Sequence, residues 1–263
     1  MTGSASGMGQ AVAERLRAAG ATVIGVDRLA ADLTVDLESA GERRRLVGEA
    51  LARTAVVDGL VACAGVRQRL PGVAGGADAA TVVRVNYFGV IEPLVGLRGL
   101  LERSDDPRVA IVSSTGLLHV SDADAAAAAC LDGDESAAVT AVGDDATLAY
   151  RASKRALAVW VRRSAAAPAW AGAGITVNAV APGLTLTPMT SPWLEAGGHN
   201  DLWGPSRFPL GGTASPQALA SLLAWLVSRD NTFMTGQVLF MDGGYEVEHN
   251  GRRLTVLVSR QPS

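Results

Sequence analysis

Lysine is almost absent from this chain. Of 23 basic side chains only Lys154 is a lysine, and all the others are arginines. Thiols and imidazoles are nearly as scarce, with two cysteines and three histidines in 263 residues. Cys63 and Cys130 exclude a disulfide framework and offer no zinc-ligand spacing. His119, His199 and His249 are scattered along the sequence, so no metal site is expected. A net charge of -3 excludes the basic footprint of a nucleic-acid-binding protein. No apolar run approaches the ~20 residues that span a bilayer, and no charged-then-apolar leader opens the chain. A soluble, cytoplasmic protein without membrane or nucleic-acid partners is expected.

What is present describes a folded globule: 48% apolar and 19% charged residues. Helical and strand patterns alternate throughout, which predicts an α/β fold built from parallel βαβ units in one domain over 1–263. Helices are expected from Gly7 to Ala19, from the capping box Ser39–Glu42 onward, and over Ala79–Leu101, Thr147–Ala166 and Pro216–Leu226 behind Ser215. Strands are expected at Thr22–Asp27, Gly59–Cys63, Val109–Ser113, Ile175–Ala181 and Val238–Met241. In the second helix Leu46, Val47, Ala50 and Leu51 form the apolar stripe, and the charge run Arg43–Arg45 reads as a solvated face.

Three stretches interrupt the alternation. Residues 121–145 carry seven acids and neither Lys nor Arg, which predicts either exposed helices offering a partner surface or a solubilising loop. Residues 190–212 hold Trp193, Leu194, Trp203, Phe208 and Leu210 and read as a substrate lid, since long loops in compact domains are often functional. Packing of these side chains in the lid itself or at a dimer contact is the alternative. In the tail, 245–263, the Asn250-Gly251 pair between Tyr245–His249 and Arg252–Val258 signals a β-hairpin.

The lone lysine stands four residues after a tyrosine, in Tyr150-Arg151-Ala152-Ser153-Lys154. Residues i and i+4 share a helix face. A compact ammonium held near a phenol favours the phenolate, which makes Tyr150 a candidate acid/base near neutral pH. An ordinary exposed Tyr/Lys pair has the same spacing, so context decides. Gly3, Ser6, Gly7, Met8 and Gly9 supply that context. Their glycines suit a tight turn and close approach to a pyrophosphate, and a helix N-terminus follows. Asp27 lies 18 residues beyond Gly9 at the end of the next strand, where an acid takes the adenosine-ribose hydroxyls and repels a 2′-phosphate. NAD is therefore expected over NADP, with Arg28 as the one basic neighbour that a 2′-phosphate would favour. The fingerprint starts at residue 2, with no strand ahead of it, so a gap is expected at the centre of the sheet. Leu254–Val258 is an alternative filler for that slot.

Together these motifs resemble those of the short-chain dehydrogenase/reductases. Further marks run in family order: Asn86 in Val85–Gly89, Ser114 in Ile111–Ser114, Pro182-Gly183, Thr187-Pro188-Met189 and Asp242-Gly243-Gly244. The usual Asn-Asn-Ala-Gly reads Ala62-Cys63-Ala64-Gly65 here, a departure that loses one polar contact. The 35 residues between Ser114 and Tyr150 resemble the spacing of the 3α-hydroxysteroid dehydrogenase/carbonyl reductase subgroup. The resemblance implies a Rossmann-like, doubly wound parallel sheet and a homodimer or homotetramer with the insert near the subunit contact. It implies that Tyr150 is the acid/base, and that Lys154 lowers its pKa and binds the nicotinamide ribose. Ser114 would stabilise the substrate oxygen, with Ser113 structural, and Asn86 would hold a relay water. Asp36 and Leu37 would flank the adenine, while Ala64, Gly65, Pro182, Gly183, Thr185 and Thr187 complete the NAD site. His119 would border the pocket or be incidental. The expected substrate is a small hydrophobic secondary alcohol or ketone of steroid or carbonyl type. The alternatives are a coniferyl-type aryl or allylic alcohol, or a non-catalytic NAD sensor.

Overall fold

The computed structural model describes residues 1–69, 72–121, 124–195 and 208–251. A four-stranded parallel sheet forms its centre: β3 (Gly59–Ala62), β4 (Arg108–Val112), β5 (Thr176–Pro182) and β6 (Val238–Met241), paired in that order. Every residue of β4 is buried. Val109 and Ile111 point to one side of the sheet and Ala110 and Val112 to the other, each side into its own apolar cluster. A strand covered on both faces needs such an unbroken apolar run.

Helices supply the two covers. α1 (Gly7–Ala18) and α10 (Pro216–Leu226) lie together on one face, with Val12, Leu219 and Leu223 fully buried. The other face is packed by α3 (Ala79–Val83), α4 (Gly89–Gly96) and α8 (Ala146–Ser164). Ser215 Oγ accepts from Ala218 N at 3.2 Å, so the expected cap of α10 is present.

The long helix expected over Ala79–Leu101 is broken. After α3 the backbone widens into a π-turn at Arg84–Phe88, then resumes as α4 and a short α5 (Arg98–Leu101). The strand expected at Thr22–Asp27 is also curtailed, to β1 (Val26–Asp27), which pairs in parallel with β2 (Leu33–Thr34). Strand structure survives only where a neighbour completes the ladder. Thr2 provides that neighbour, bridging Val26 on one side and Ala62 on the other. Gly3 N donates to Val26 O at 2.8 Å and Val26 N to Met1 O at 2.8 Å. Met1–Gly3 thus closes the expected gap beside the glycine loop. The rest of the slot is an apolar cleft lined by Ile24, Leu33, Leu46, Leu60 and Leu94.

In α2 (Ala40–Arg53), Ser39 Oγ accepts from Glu42 N at 3.4 Å, the serine half of the expected capping box, while Ser39 N donates to Asp36 O and the Glu42 carboxylate accepts from Arg45. Its buried stripe is Arg43, Leu46 and Ala50, with Val47 partly buried against Gly96. Two expectations fail here. Leu51 is 48% exposed, and Arg43 is buried at 1% exposure instead of facing solvent with Arg44 and Arg45.

The acidic insert is helical, with α6 (Ala125–Leu131) and α7 (Glu135–Val142), but it is not simply exposed. Ala126, Ala127, Cys130 and Ala138 pack into the main core. Three of its seven acids are caps: Asp124, Asp134 and Asp145 accept backbone N–H groups at the starts of α6, α7 and α8. The tail forms no hairpin strand over Tyr245–His249; it turns into a helix, α11 (Tyr245–Asn250). Asp242 starts that turn, its carboxylate accepting from Gly244 N at 3.0 Å and Glu246 N at 2.7 Å. The remainder of the tail, including Arg252–Val258, lies outside the described residues, as do 196–207 of the expected lid with His199 and Trp203.

Candidate active site

The carboxyl ends of the central strands bring the expected residues to one edge of the sheet, the usual ligand crevice of such folds. Ser113 and Ser114 follow β4. Ser113 is buried and its Oγ donates to Lys154 O at 2.8 Å, a structural tie between β4 and α8. Ser114 instead caps the 3₁₀ turn Thr115–His119, accepting from Gly116 N at 3.1 Å, and a Cβ added at Gly116 would lie 3.4 Å from Ser114 Oγ and 3.2 Å from the Tyr150 ring, so the two side chains flank it. Tyr150 and Lys154 share one face of α8, with Lys154 Nζ 6.0 Å from the phenol ring centroid. Lys154 is 4% exposed and donates to Val112 O at 3.0 Å.

Burial dominates the electrostatics here. It pushes the Lys154 ammonium down to about 8. It also raises the Tyr150 phenol above its ordinary value, which the neighbouring Ser114 hydroxyl partly opposes. The phenol lowering expected from Lys154 is therefore not found: Nζ is directed at Val112 O, and desolvation outweighs it. The Cys63 thiol is likewise pushed up to about 12 by burial, with Lys154 acting in the opposite sense.

The π-turn places Asn86, which is fully buried. Its Oδ1 accepts from Val66 N at 2.8 Å and its Nδ2 donates to Val66 O at 3.0 Å. This clamp fixes the loop after β3, and a π-turn at a functional position is a recurring use of that geometry. A Cβ added at Gly65 would sit 3.1 Å from Asn86 Oδ1 and 3.6 Å from Lys154 Nζ, so Gly65 lies directly beside both.

The glycine loop is built for close approach. Gly3 has φ +73, and a Cβ there would lie 2.7 Å from Ala64 N; one at Gly9 would lie 1.9 Å from Gly3 O. Ala64 N donates to Thr2 Oγ1 at 3.2 Å. Ser6 starts α1 in extended conformation and its hydroxyl caps no backbone N–H, while Met8 is partly buried in the α1 core. Asp27 belongs to this loop by direct contact, with Oδ2 accepting from Ala5 N at 3.0 Å. Asp36 Oδ1 accepts from Glu38 N at 3.0 Å, and Leu37 is buried against Gly89.

On the opposite side, Pro182 ends β5, and Gly183 crosses so close to Asp242 that an added Cβ would lie 2.8 Å from its Cα. Thr185 and Thr187 are buried. Thr187 faces Gly7, whose added Cβ would lie 3.5 Å from the Thr187 side chain. The glycine loop and the 183–187 segment thus meet at Gly7 and Thr187, and the loop packs so closely that Gly3 and Gly9 leave no room for a side chain. Bare backbone at the start of a helix suits the phosphates of a dinucleotide.

Three residues assigned no part in the site from the sequence organise its surroundings. Thr190 Oγ1 donates to Thr185 O at 2.6 Å and accepts from Thr187 N at 3.0 Å, holding the segment in a tight turn. Arg67 joins the loop after Gly65 to the start of the lid region through Met189 O at 3.2 Å and Ala74 O at 2.7 Å. Arg43 reaches the Leu37 and Glu38 carbonyls. A Thr spaced three after Thr187 was a readable hint; a lone Arg67 and a run at 43–45 carry none. His119 Nε2 meets Tyr245 Oη at 3.1 Å, and burial pushes this imidazole down to about 4. Phe208 is buried against Gly183 and Tyr245, while Leu210 stands exposed, and Trp193 and Leu194 of α9 (Ser191–Glu195) are partly buried. Among the described residues no cluster of side chains suits a metal ion, and no helix is long and apolar enough to cross a membrane.

Known proteins match this arrangement along nearly the whole chain. Residues 1–128 match the family model described as short chain dehydrogenase, and residues 134–246 that described as enoyl-(acyl carrier protein) reductase. The 3-alpha-hydroxysteroid dehydrogenase/carbonyl reductase of Comamonas testosteroni is 34% identical, over 94% of this chain and 95% of that protein. The cis-4-hydroxycyclohexanecarboxylate dehydrogenase of Sinomonas cyclohexanicum is also 34% identical, over 93% and 94%. A crystal structure of the 3-alpha-hydroxysteroid dehydrogenase from Pseudomonas sp. B-0831, complexed with NADH, superposes with a TM-score of 0.84 at 39% identity, over 96% and 98% of the two chains. The fold, the grouped Ser114, Tyr150 and Lys154, and this likeness give one conclusion: the chain belongs to the short-chain dehydrogenase/reductase family, oxidoreductases of hydroxyl and carbonyl groups.

Proposed function

We propose that the protein is an NAD-dependent oxidoreductase of hydrophobic secondary alcohols and ketones, working as one Rossmann-type domain per subunit of a homodimer or homotetramer. The observation that carries the reading is the grouping of Ser114 and Tyr150 at Gly116 with Lys154, which shares the Tyr150 face of α8 and stands beside Gly65. Gly3, Ser6, Gly7, Met8, Gly9, Asp27, Asp36, Leu37, Ala64, Gly65, Pro182, Gly183, Thr185 and Thr187 would hold the dinucleotide. Asp27 supports NAD, because its carboxylate is bound to the loop itself and would repel a 2′-phosphate there. When bound, the nicotinamide supplies the hydride acceptor or donor.

The chain's own residues handle the proton and the oxygen. Tyr150 Oη takes the hydroxyl proton in oxidation and returns it to the carbonyl oxygen in reduction. Ser114 Oγ donates to that oxygen and stabilises the charge developing on it. Lys154 Nζ, held on Val112 O beside Gly65, would bind the nicotinamide ribose. Asn86 holds the Val66 loop and, with it, the wall next to Lys154. Two relatives named for hydroxyls on saturated rings support an alicyclic substrate, and buried Phe208 supports an apolar one.

The test is a panel of 3α-hydroxysteroids, substituted cyclohexanols, aryl and allylic alcohols and aliphatic alcohols, with NAD and then NADP, followed by nicotinamide absorbance. Turnover should be highest with alicyclic alcohols and NAD. Tight NAD binding with no turnover on any alcohol would replace this reading with that of a sensor, and preference for NADP would refute the assignment of Asp27.

A further inference from the structure

Arg43 takes no part in the chemistry above, yet it is the largest fully buried side chain described. A guanidinium out of water is costly unless all its donors are met, and here every one is. Nε and one terminal nitrogen form a fork with Glu92 at 2.8 and 3.3 Å. The other terminal nitrogen donates to Leu37 O and Glu38 O, both at 3.0 Å. The remaining donor goes to Glu135 of α7, in the acidic insert. A second path runs parallel: Arg84 Nε donates to Glu135 Oε1 at 3.2 Å and its guanidinium lies 3.6 Å from Glu38 Oε1. Glu38 in turn accepts from Thr81 Oγ1 at 3.1 Å.

The consequence is mechanical. Leu37 and Glu38 form the backbone directly after Asp36, and Leu37 is wedged against Gly89 with no room for another atom: an added Cβ there would lie 2.9 Å from Leu37 Cβ. The position of that backbone is set by Arg43, and the position of Arg43 by carboxylates on α4 and α7. Glu135 stands at the first turn of α7, right behind its cap Asp134, where a carboxylate is also favoured by the helix dipole.

We propose that Glu135 is a positioning residue for dinucleotide binding: acting through Arg43, it sets the Leu37–Glu38 backbone and so couples the acidic insert to affinity at the adenine end. The inference rests on the reading that Asp36 and Leu37 flank the adenine. It assigns the insert a role toward the cofactor, besides separating Ser114 from Tyr150 in sequence.

Half-molecules of the cofactor test it. Dissociation constants for NAD, AMP and nicotinamide mononucleotide are measured by calorimetry for the parent, Glu135→Ala, Glu135→Gln and Arg43→Lys, with kcat at saturating NAD alongside. Glu135→Ala should weaken NAD and AMP by about fivefold, a modest coupling between sites, with nicotinamide mononucleotide affinity and kcat unchanged. Glu135→Gln keeps an acceptor oxygen for Arg43 and should recover most of the loss. Arg43→Lys keeps the charge but loses the fork, and should weaken AMP at least as much as Glu135→Ala. Unchanged AMP affinity in Glu135→Ala overturns the proposal, as does equal weakening of both half-molecules, which marks general loosening. A parent protein that binds neither NAD nor AMP refutes the cofactor reading itself, and the proposal with it.

Discussion

The two halves of the sheet differ in how they are held. From β3 to β6 the strands run in continuous parallel register, and Ser114 and Tyr150, proposed above as catalytic, stand beside that ladder through β4 and α8. On the other side, β1 and β2 are two residues each, joined to the rest by the single bridging residue Thr2. There, side-chain bonds replace ladder bonds: Asp27 to Ala5 N, Asp32 to Gly25 N at 2.7 Å, and Arg43 to the Leu37 and Glu38 carbonyls. Backbone groups must find partners somewhere. Where strands are short, polar side chains take over, and the dinucleotide-binding half becomes the half whose geometry depends on individual residues.

Substitutions separate the halves, and the largest effect belongs to the laddered one. Lys154→Arg keeps a positive charge but cannot fit the compact contact with Val112 O beside Tyr150, and it should cut kcat by about 100-fold or more. Circular dichroism and melting should stay near those of the parent, since β4 and α8 remain packed. Parent-like activity in that variant would make the single lysine an accident of composition.

On the other half, Asp27→Ala removes acceptors from Ala5 N and Leu29 N. NAD affinity should fall about tenfold, equivalent to ~1.4 kcal/mol, and discrimination against NADP should shrink with it. Stability should fall by only about 1 kcal/mol, as for one or two partly exposed hydrogen bonds. An unchanged NAD/NADP ratio would show that Asp27 serves the loop alone.

The smallest effect is in pH dependence. Lys154 has a folded value of about 8 against an ordinary 10.5. Between those values the unfolded chain holds a proton that the folded chain has released, so this residue makes stability rise with pH. Its contribution is complete above 10.5 and is lost as pH falls through about 8. The Tyr150 phenol and both thiols, raised by burial, act in the opposite direction at higher pH. The difference in melting temperature between the parent and Lys154→Met isolates the lysine. It should grow from pH 8 to 10 by at most about 1 kcal/mol per unit, some 2–4 °C. A flat difference would mean that the ammonium is solvated in the folded protein.

Much of the candidate site was legible because its signals are local. The Ser39 and Ser215 caps, the Tyr150/Lys154 spacing and the glycines at 3, 7 and 9 each act within a few residues, so their pattern survives in the linear chain. The failures were long-range. Nothing near Arg43 in sequence announces Glu92 or Glu135, so a charge run looked solvated. Thr22–Ile24 is as apolar as many strands, but among the described residues its only backbone partner is the Met1 amino group on Ile24 O, which forms no ladder. Asn250-Gly251 signals a hairpin, yet the Asp242 carboxylate starts a helix just before it. The broken helix at Arg84–Phe88 shows the same limit, since the π-turn suits the Asn86 clamp on Val66 and no local propensity demands it.

The amino-acid sequence by itself determined the alternating α/β order, the family, and which side chains are chemically suited to protons and phosphates. Those depend on periodicity, caps and short spacings. Only the tertiary structure decided which charges are buried, which apolar stretches become strands, and how the insert reaches Arg43 and the Leu37–Glu38 backbone. Those outcomes depend on partners distant in sequence, because desolvation and hydrogen-bond satisfaction are properties of the packed chain.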